Sequence, residues 1–261
     1  MRTFSFGGGV QSTAVLVLAA TGRVQYDEFV FANVGADSEN PDTIAYVEQY
    51  AKPYATMHGL PFVEVQKTRH GEPETLKEWL DRDEKSIGIP VYLGSGAPTK
   101  RNCTSQFKIE VIARRQKRNG ATPANPAITG LGISMDEIQR ARTESGIAWQ
   151  VLEYPLLNLR MNRRDCVKAI QDAGLPVPPK SSCWFCPFHR RSEWQEMKRT
   201  KPELFAQAVE LENLLNERRA MLGRDRVYMH SSLTPLERAV GDQAAFEFVD
   251  DMPCDTGYCF I

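Results

Sequence analysis

Three consecutive glycines follow a short apolar run near the start of this 261-residue chain. Glycine has no Cβ, so Gly7, Gly8 and Gly9 permit a tight turn and a close approach of the backbone to a ligand. The helix expected after them would present unpaired amides and its positive dipole end at the turn. Such a junction predicts a phosphate site; the alternative is a tight turn that needs glycine for its shape alone.

Polar residues flank the glycines and extend the predicted site. Ser12 and Thr13 supply hydroxyl donors. The spacing fits neither G-x-G-x-x-G nor the Walker sequence, whose lysine is missing here. The residues expected to bind the nucleotide in this segment are Ser5, Gly7, Gly8, Gly9, Gln11, Ser12 and Thr13.

Two of the six cysteines have the spacing of metal ligands. Cys183 and Cys186 place two thiolates where one metal ion can take both, and thiolates suit an iron–sulfur cluster or Zn²⁺. His189 makes a Cys₂His-type zinc site a competitor. The same pair could also form a buried dithiol or a redox dithiol. Cys166 lies in a helical pattern and is expected to be a core residue.

Basic residues lie next to these motifs, and arginine presents a planar fork that matches phosphate and sulfate. As a set they favour an anionic substrate, although each one alone could be a solvated surface charge. The first cluster consists of Lys100, Arg101, Lys108, Arg140 and Arg142. A second cluster, which fits either a tRNA or DNA backbone or a solvated face, consists of Arg160, Arg163, Arg164, His189, Arg190 and Arg191.

Asp37 and Glu39 are a separate acidic pair after the second expected strand. Carboxylates can hold Mg²⁺ with a triphosphate, or they can cap the next helix. Both interpretations stay open for this pair.

The surrounding sequence alternates apolar runs with helix-forming segments. Strands are expected at residues 2–6, 28–34, 61–66, 127–133 and 149–154, and helices at residues 11–20, 42–58, 108–118 and 164–172. Strands alternating with helices predict a doubly wound, mostly parallel α/β sheet with right-handed crossovers. A loop is expected at residues 88–98.

The composition shifts after Gly174, where Pro176, Pro178 and Pro179 predict a stiff extended linker. We therefore predict a nucleotide-binding domain at residues 1–174. A helical region with the cysteine pair and a cysteine-containing tail is predicted at residues 175–261. Its helices are expected at residues 191–199 and 202–219.

The bulk properties are ordinary for a globular protein. The formal net charge of −1 gives no global attraction to nucleic acid or to an anionic membrane. We see neither a signal peptide nor an apolar stretch of membrane-spanning length, and therefore expect a cytoplasmic protein without a membrane partner. The sequence does not predict the oligomeric state.

The glycine segment resembles the PP-loop of ATP pyrophosphatases, whose usual form is Ser-Gly-Gly-x-Asp-Ser. Here Gly7 stands in place of the serine and Gln11 in place of the aspartate, which is closer to the phosphoadenylyl-sulfate (PAPS) reductase branch of that superfamily. Further motifs follow in the family's order over roughly residues 1 to 190. They begin at Val34-Gly35-Ala36-Asp37, Arg101-Asn102-Cys103-Thr104, Gly132-Ile133-Ser134, Tyr154-Pro155-Leu156 and Cys183.

The resemblance implies a fold of the adenine nucleotide α-hydrolase-like Rossmann type with a C-terminal helical, cysteine-bearing extension. It implies an adenine nucleotide (ATP, or PAPS or its relative APS) as ligand. It also assigns roles to Lys108 in the Cys-Thr-x-x-x-Lys-Ile segment and to Arg140 in the Gly-Ile-Arg…Glu…Arg element. Asp37 and Arg101 join the nucleotide-binding set, and Lys108 and Arg140 are the expected catalytic cations.

A single cysteine followed far downstream by Cys-x-x-Cys resembles the cluster-bearing adenylyl-sulfate reductases. Those proteins use an upstream cysteine pair, whereas this chain has Cys103 alone. The resemblance thus implies a 4Fe–4S cluster on Cys103, Cys183 and Cys186, with Zn²⁺ as the alternative metal. The fourth ligand is Cys254, Cys259 or absent, and Cys259 could instead swing in as the catalytic nucleophile.

Two functional hypotheses follow. The first is an adenine-nucleotide-binding enzyme that reduces a sulfonucleotide or thiolates a nucleic acid or nucleotide in an ATP-dependent reaction. It needs an anionic substrate and a protein that donates sulfur or electrons. The second is a non-catalytic nucleotide- and zinc-binding module that recruits a partner.

Overall fold

A computed structural model describes residues 1–82 and 87–241 of the chain. The strands are β1 (Arg2–Phe6), β2 (Glu28–Asn33), β3 (Phe62–Gln66), β4 (Thr68–Arg69), β5 (Glu72–Pro73), β6 (Tyr92–Leu93), β7 (Ala127–Leu131), β8 (Gln150–Glu153) and β9 (Val227–Tyr228).

The α-helices of the described residues are α1 (Val10–Ala20), α2 (Pro41–Tyr46), α3 (Lys52–Met57), α4 (Leu76–Arg82), α5 (Asn102–Thr104), α6 (Glu110–Arg118), α7 (Pro155–Asn158), α8 (Arg163–Asp172), α9 (Arg191–Thr200), α10 (Pro202–Met221) and α11 (Leu236–Ala239). Two π-helical turns at Val47–Ala51 and Ser105–Ile109 and a 3₁₀ helix at Met135–Arg140 complete the set. No helix in these two ranges combines the length and apolar character that a bilayer span requires.

The chain forms two compact units. Unit 1 comprises Met1–Thr75 and Ser105–Ser182, and unit 2 comprises Leu76–Thr104 and Cys183–Ile261. The predicted boundary near Gly174 differs from this division in two ways. Residues 175–182 belong to unit 1, and the segment Leu76–Thr104 leaves the nucleotide-binding half to join unit 2.

Unit 1 is built on a five-stranded sheet in the order β3-β2-β1-β7-β8. Every neighbouring pair in it is parallel. The chain runs outward from β1 to β3 on one side and returns to β7 and β8 on the other. The strand order therefore reverses between β1 and β7, and in open α/β sheets ligands bind at the carboxyl ends of the strands at such a switch point.

Both faces of this sheet are covered, as the doubly wound interpretation predicts. Alternate side chains of β2 point to opposite faces. Phe29 and Phe31 pack with residues of α1 and α8, whereas Val30 and Ala32 pack with Ile112 of α6. Strand β2 is buried over nearly its whole length, which accounts for its continuous apolar sequence.

Unit 2 is organised around the long helix α10. The Glu212 carboxylate on α10 accepts hydrogen bonds from the backbone amides of Met229 and Leu236, both at 2.8 Å. Burial raises the pKa of Glu212, although these two amides act in the opposite direction. The predicted loop at residues 88–98 contains β6, which pairs antiparallel with β9.

Candidate functional site

The glycine loop lies where the sequence places it, between β1 and α1 at the switch point of the sheet. Gly9 is the N-cap residue of α1, and no side chain of the described residues caps this helix. The first turn of α1 also has no acidic residue. The first amides of α1 and its positive dipole end therefore face the loop without local compensation, which suits an anionic ligand.

The three glycines differ in the space beside them. A Cβ added at Gly7 would find no heavy atom of the described residues within 4 Å. A Cβ at Gly8 would lie 2.7 Å from Thr43 Cγ2, and Gly8 also has a φ of +79°. A Cβ at Gly9 would lie 3.7 Å from Ser181 Cβ, an ordinary contact. The turn is packed against α2 at Gly8 and open at Gly7, so a ligand has room on the Gly7 side.

The prolines predicted as a linker, Pro176, Pro178 and Pro179, and the residues 180–182 that follow them belong to a segment that contacts the loop and α2. The Tyr46 hydroxyl donates to the Pro176 carbonyl at 2.8 Å, and burial raises the pKa of Tyr46 to about 12. The Asn40 amide donates to the Ser182 carbonyl at 3.0 Å. The Ser181 hydroxyl donates to the Gly7 carbonyl. The sequence did not predict that these contacts would lie at the loop. The four residues that make them are Thr43, Tyr46, Ser181 and Ser182.

The polar side chains predicted to bind the nucleotide differ in their burial and in their contacts. The Ser12 hydroxyl donates to the Gly9 carbonyl at 2.9 Å, so it closes the first turn of α1. Thr13 is fully buried. The side-chain oxygen of Gln11 lies 3.5 Å from Nη1 of Arg163. Ser5 is half-buried within β1.

Asp37 and Glu39, the acidic pair, lie in different environments. The Asp37 carboxylate accepts hydrogen bonds from the hydroxyls of Ser38 and Thr75, each at 2.8 Å, which fits a structural role in the turn after β2. Glu39 is fully buried, and neither of its carboxylate oxygens has a hydrogen-bond partner among the described residues. Nζ of Lys108 lies 3.8 Å from Glu39 Oε2.

The two predicted catalytic cations of unit 1 both face carboxylates. Lys108 faces Glu39, and Arg140 Nη1 lies 2.6 Å from Glu137 Oε2 on the same 3₁₀ helix. Arg140 and Glu137 are both buried. Their charges are therefore offset within the protein, and any anion they bind must compete with these carboxylates.

Unit 2 contains the other predicted ligands that the structure describes. Cys183 and Cys186 lie in a tight turn, in which the Cys186 amide donates to the Cys183 carbonyl at 3.1 Å. The Cys103 amide donates to the Gly88 carbonyl at 2.9 Å. The Arg101 guanidinium stacks on the Phe188 ring at 4.9 Å. Arg101 and Cys103 therefore belong to the same unit as the cysteine pair.

The metal prediction is only partly covered by the structure. Within residues 1–82 and 87–241, no three His, Cys, Asp or Glu side chains are grouped closely enough to hold a metal ion. Nε2 of His189 lies 2.9 Å from the Cys183 carbonyl, which uses one ring nitrogen as a donor. Cys254 and Cys259, the candidates for the fourth ligand and the nucleophile, lie outside the described residues.

Cys166 is separate from the predicted ligands. It lies on α8 in unit 1, is fully buried in the apolar core, and burial raises the pKa of its thiol to about 12. The expectation of a core residue is confirmed.

No protein-family model matches the sequence, and no curated protein matches it. Seven chains of solved structures are similar to this chain, among them the following two. Phosphoadenylyl-sulfate (PAPS) reductase from Candida auris, in a phosphate complex, is 13% identical with a TM-score of 0.45, over 68% of this chain and 74% of that one. The U34-tRNA thiolase NcsA from Methanococcus maripaludis, with its 4Fe–4S cluster, is 12% identical with a TM-score of 0.43, over 82% of this chain and 72% of that one.

Proposed function

We propose that this chain is an adenine-nucleotide-binding, sulfur-handling enzyme that works in the cytoplasm. The observation that carries the proposal is the open Gly7 side of an uncapped helix start at the switch point of a parallel sheet. Backbone amides there can bind the phosphates of a nucleotide. The motif resemblance supplies the chemistry, which is sulfonucleotide reduction or ATP-dependent thiolation of a nucleic acid or nucleotide.

The residues of unit 1 have proposed roles in binding and orientation. The loop holds the nucleotide phosphates, while Lys108 and Arg140 stabilise negative charge on the reacting group. The buried carboxylates beside them, Glu39 and Glu137, hold the two cations in place. Mg²⁺ accompanies a triphosphate if ATP is the substrate, and Asp37 and Glu39 are the carboxylates proposed to contact it.

A sulfur-handling enzyme of this kind also needs a redox or sulfur-carrying group. Cys103, Cys183 and Cys186, which all belong to unit 2, are the proposed ligands of a 4Fe–4S cluster completed by Cys254 or Cys259, or of a zinc ion. Such a cluster would supply electrons or sulfur. Cys259 is proposed as ligand or nucleophile, and a sulfur- or electron-donating protein is the expected partner.

Two product assays separate the branches of the proposal. Release of AMP and pyrophosphate from ATP in the presence of tRNA or DNA supports thiolation, whereas release of sulfite from an adenylyl-sulfate supports reduction. Gly7→Val serves as the loop-blocked control in both. If the anaerobically purified protein forms no product from ATP or a sulfonucleotide, the enzymatic proposal is wrong.

One observation favours a second candidate, a non-catalytic nucleotide- and zinc-binding module that recruits a partner. Both predicted catalytic cations already face carboxylates, so their positive charge is less available to stabilise a reacting group. This candidate predicts one Zn²⁺ per chain, colourless protein and nucleotide binding without product. A broad visible absorbance band after anaerobic purification would contradict it.

A further inference from the structure

Arg163 is the first residue of α8, and its guanidinium lies beside the glycine-loop helix. Its Nη1 is 3.5 Å from the side-chain oxygen of Gln11, on the first turn of α1. Both residues belong to unit 1. At 3.5 Å this is a weak, long contact. It involves one nitrogen of the guanidinium and leaves its other N–H groups able to donate to a ligand.

Two carboxylates lie near Arg163, and both are engaged by backbone amides. Asp136 accepts from the amide of Arg163 itself, and Asp165 accepts from the amide of Asn162 at 2.9 Å. Arg163 forms no ion pair with a side chain in the described part of the chain. Its side chain is exposed, so its charge is available to a ligand.

Local helix stability does not explain a cation at this position. The N-terminal end of a helix dipole is positive, so Arg163 at the first position of α8 is unfavourable there. A carboxylate at position 11 would attract the Arg163 guanidinium into an ion pair, whereas the neutral Gln11 cannot form one.

We infer that Arg163 binds an anionic phosphate or sulfate group of the nucleotide at the glycine loop, and that Gln11 keeps this guanidinium available to it. The inference rests on the proposed nucleotide site and names a specificity residue for it. The planar fork of arginine matches the oxygens of such a group. The site consequently favours ligands with more negative charge near the loop.

The first test compares two neighbouring arginines in the full-length chain. Arg164 is also exposed, follows Arg163 on α8 and carries the same charge. We expect Arg163→Ala to weaken ATP binding about tenfold, as loss of one charge-assisted hydrogen bond does. AMP binding should weaken less. Arg164→Ala should change either affinity by less than about twofold, because a screened surface charge contributes little.

The second test changes the charge of Gln11 while keeping its shape. Gln11→Glu should weaken ATP binding in the presence of Arg163. Its effect should be smaller in the Arg163→Ala background, because the competing ion pair no longer forms. Calorimetric titration with ATP and AMP at fixed salt measures all four proteins, and thermal unfolding confirms that each is folded.

The possible outcomes are distinct. If Gly7→Val abolishes ATP binding but Arg163→Ala and Arg164→Ala have equal effects, or none, the Arg163 inference is wrong and the nucleotide site stands. Additive effects of Gln11→Glu and Arg163→Ala would also overturn it. If ATP binds equally to the wild type and to Gly7→Val, or to neither, the nucleotide site fails and the inference fails with it.

Discussion

The hydroxyl of Ser181 donates a hydrogen bond to the backbone carbonyl of Gly7. A residue from the far end of unit 1 thus contacts the first glycine of the loop. This hydrogen bond restrains the backbone of the loop at its first glycine. The proline-containing segment before Ser181 is therefore part of the site.

Gly7→Val is expected to abolish nucleotide binding without unfolding the protein. The new side chain enters space that is empty of described protein atoms, where the ligand would lie. Isothermal titration with ATP and a thermal melt measure the two properties. Gly9→Ala is the matched control, because its Cβ makes only an ordinary contact with Ser181. Unchanged affinity in Gly7→Val would show that phosphate binds elsewhere.

Gly8→Val should instead destabilise the fold. The position has a φ of +79°, and the added Cβ would lie 2.7 Å from Thr43 Cγ2. Backbone strain and overpacking together should lower the free energy of unfolding by about 3 kcal/mol or more. Denaturant unfolding measures this loss. A Gly8→Val protein as stable as the wild type would mean that the contact with Thr43 relaxes easily.

Ser181→Ala should lower both stability and nucleotide affinity. Loss of the hydrogen bond to Gly7 should cost roughly 1 kcal/mol of unfolding free energy, and the loosened loop should bind ATP several-fold more weakly. Ser181→Thr keeps the hydroxyl and serves as the control. Equal ATP affinity in Ser181→Ala and wild type would argue that the loop keeps its shape without this contact.

The buried thiol of Cys166 should be unreactive in the native protein. Its pKa, raised to about 12 by burial, leaves almost no thiolate at neutral pH. Mass spectrometry after native alkylation should find it unmodified. Cys166→Ser should destabilise unit 1 by about 1–3 kcal/mol because it buries a hydroxyl in apolar surroundings, yet metal content should be unchanged. Cys183→Ser should instead lose the proposed metal. Loss of metal in Cys166→Ser but not in Cys183→Ser would contradict the assignment of Cys166 to the core and of Cys183 to the metal site.

The alkaline stability of the protein should depend on Tyr46. Burial raises the pKa of Tyr46 from 10.0 to about 12, so folding favours the protonated phenol. The resulting stabilisation is complete below pH 10.0 and is lost as the pH rises towards about 12. Ultraviolet titration should show one fewer late-ionising tyrosine in Tyr46→Phe, and its unfolding free energy should fall less steeply over that range. Identical titration curves would contradict this.

Local patterns predicted the sheet of unit 1 well. The apolar runs and the glycine turns fixed where β1, α1 and β2 begin and end, because each depends on adjacent residues. The short hairpin of β4 and β5 and helix α4 lie where the periodicity is weak, and the sequence did not predict them. The π-helical turn within the predicted helix at residues 42–58, and the one that overlaps the start of the predicted helix at residues 108–118, also leave no local signal.

The candidate site was less predictable because its partners are distant in sequence. Nothing near Ser181 indicates a contact with Gly7, and nothing near Arg163 indicates one with Gln11. The ion pair of Arg140 with Glu137 is different, since the two lie on one turn. The family resemblance marks Arg140 as a ligand-binding cation, although the carboxylate three residues before it already offsets its charge.

Each unit consists of two separate chain segments, which limits where the protein can be cut for separate expression of the units. The segment Leu76–Thr104 interrupts unit 1 and contributes Cys103 to unit 2. A single cut at Ser182 therefore leaves Leu76–Thr104 in the N-terminal fragment without the rest of its unit. Separate expression of unit 1 would require excising that segment and rejoining Thr75 to Ser105 with a short linker. Simple truncation at Ser182 would therefore remove Cys103 from the unit that contains Cys183 and Cys186, even though Cys103 stays in the retained fragment.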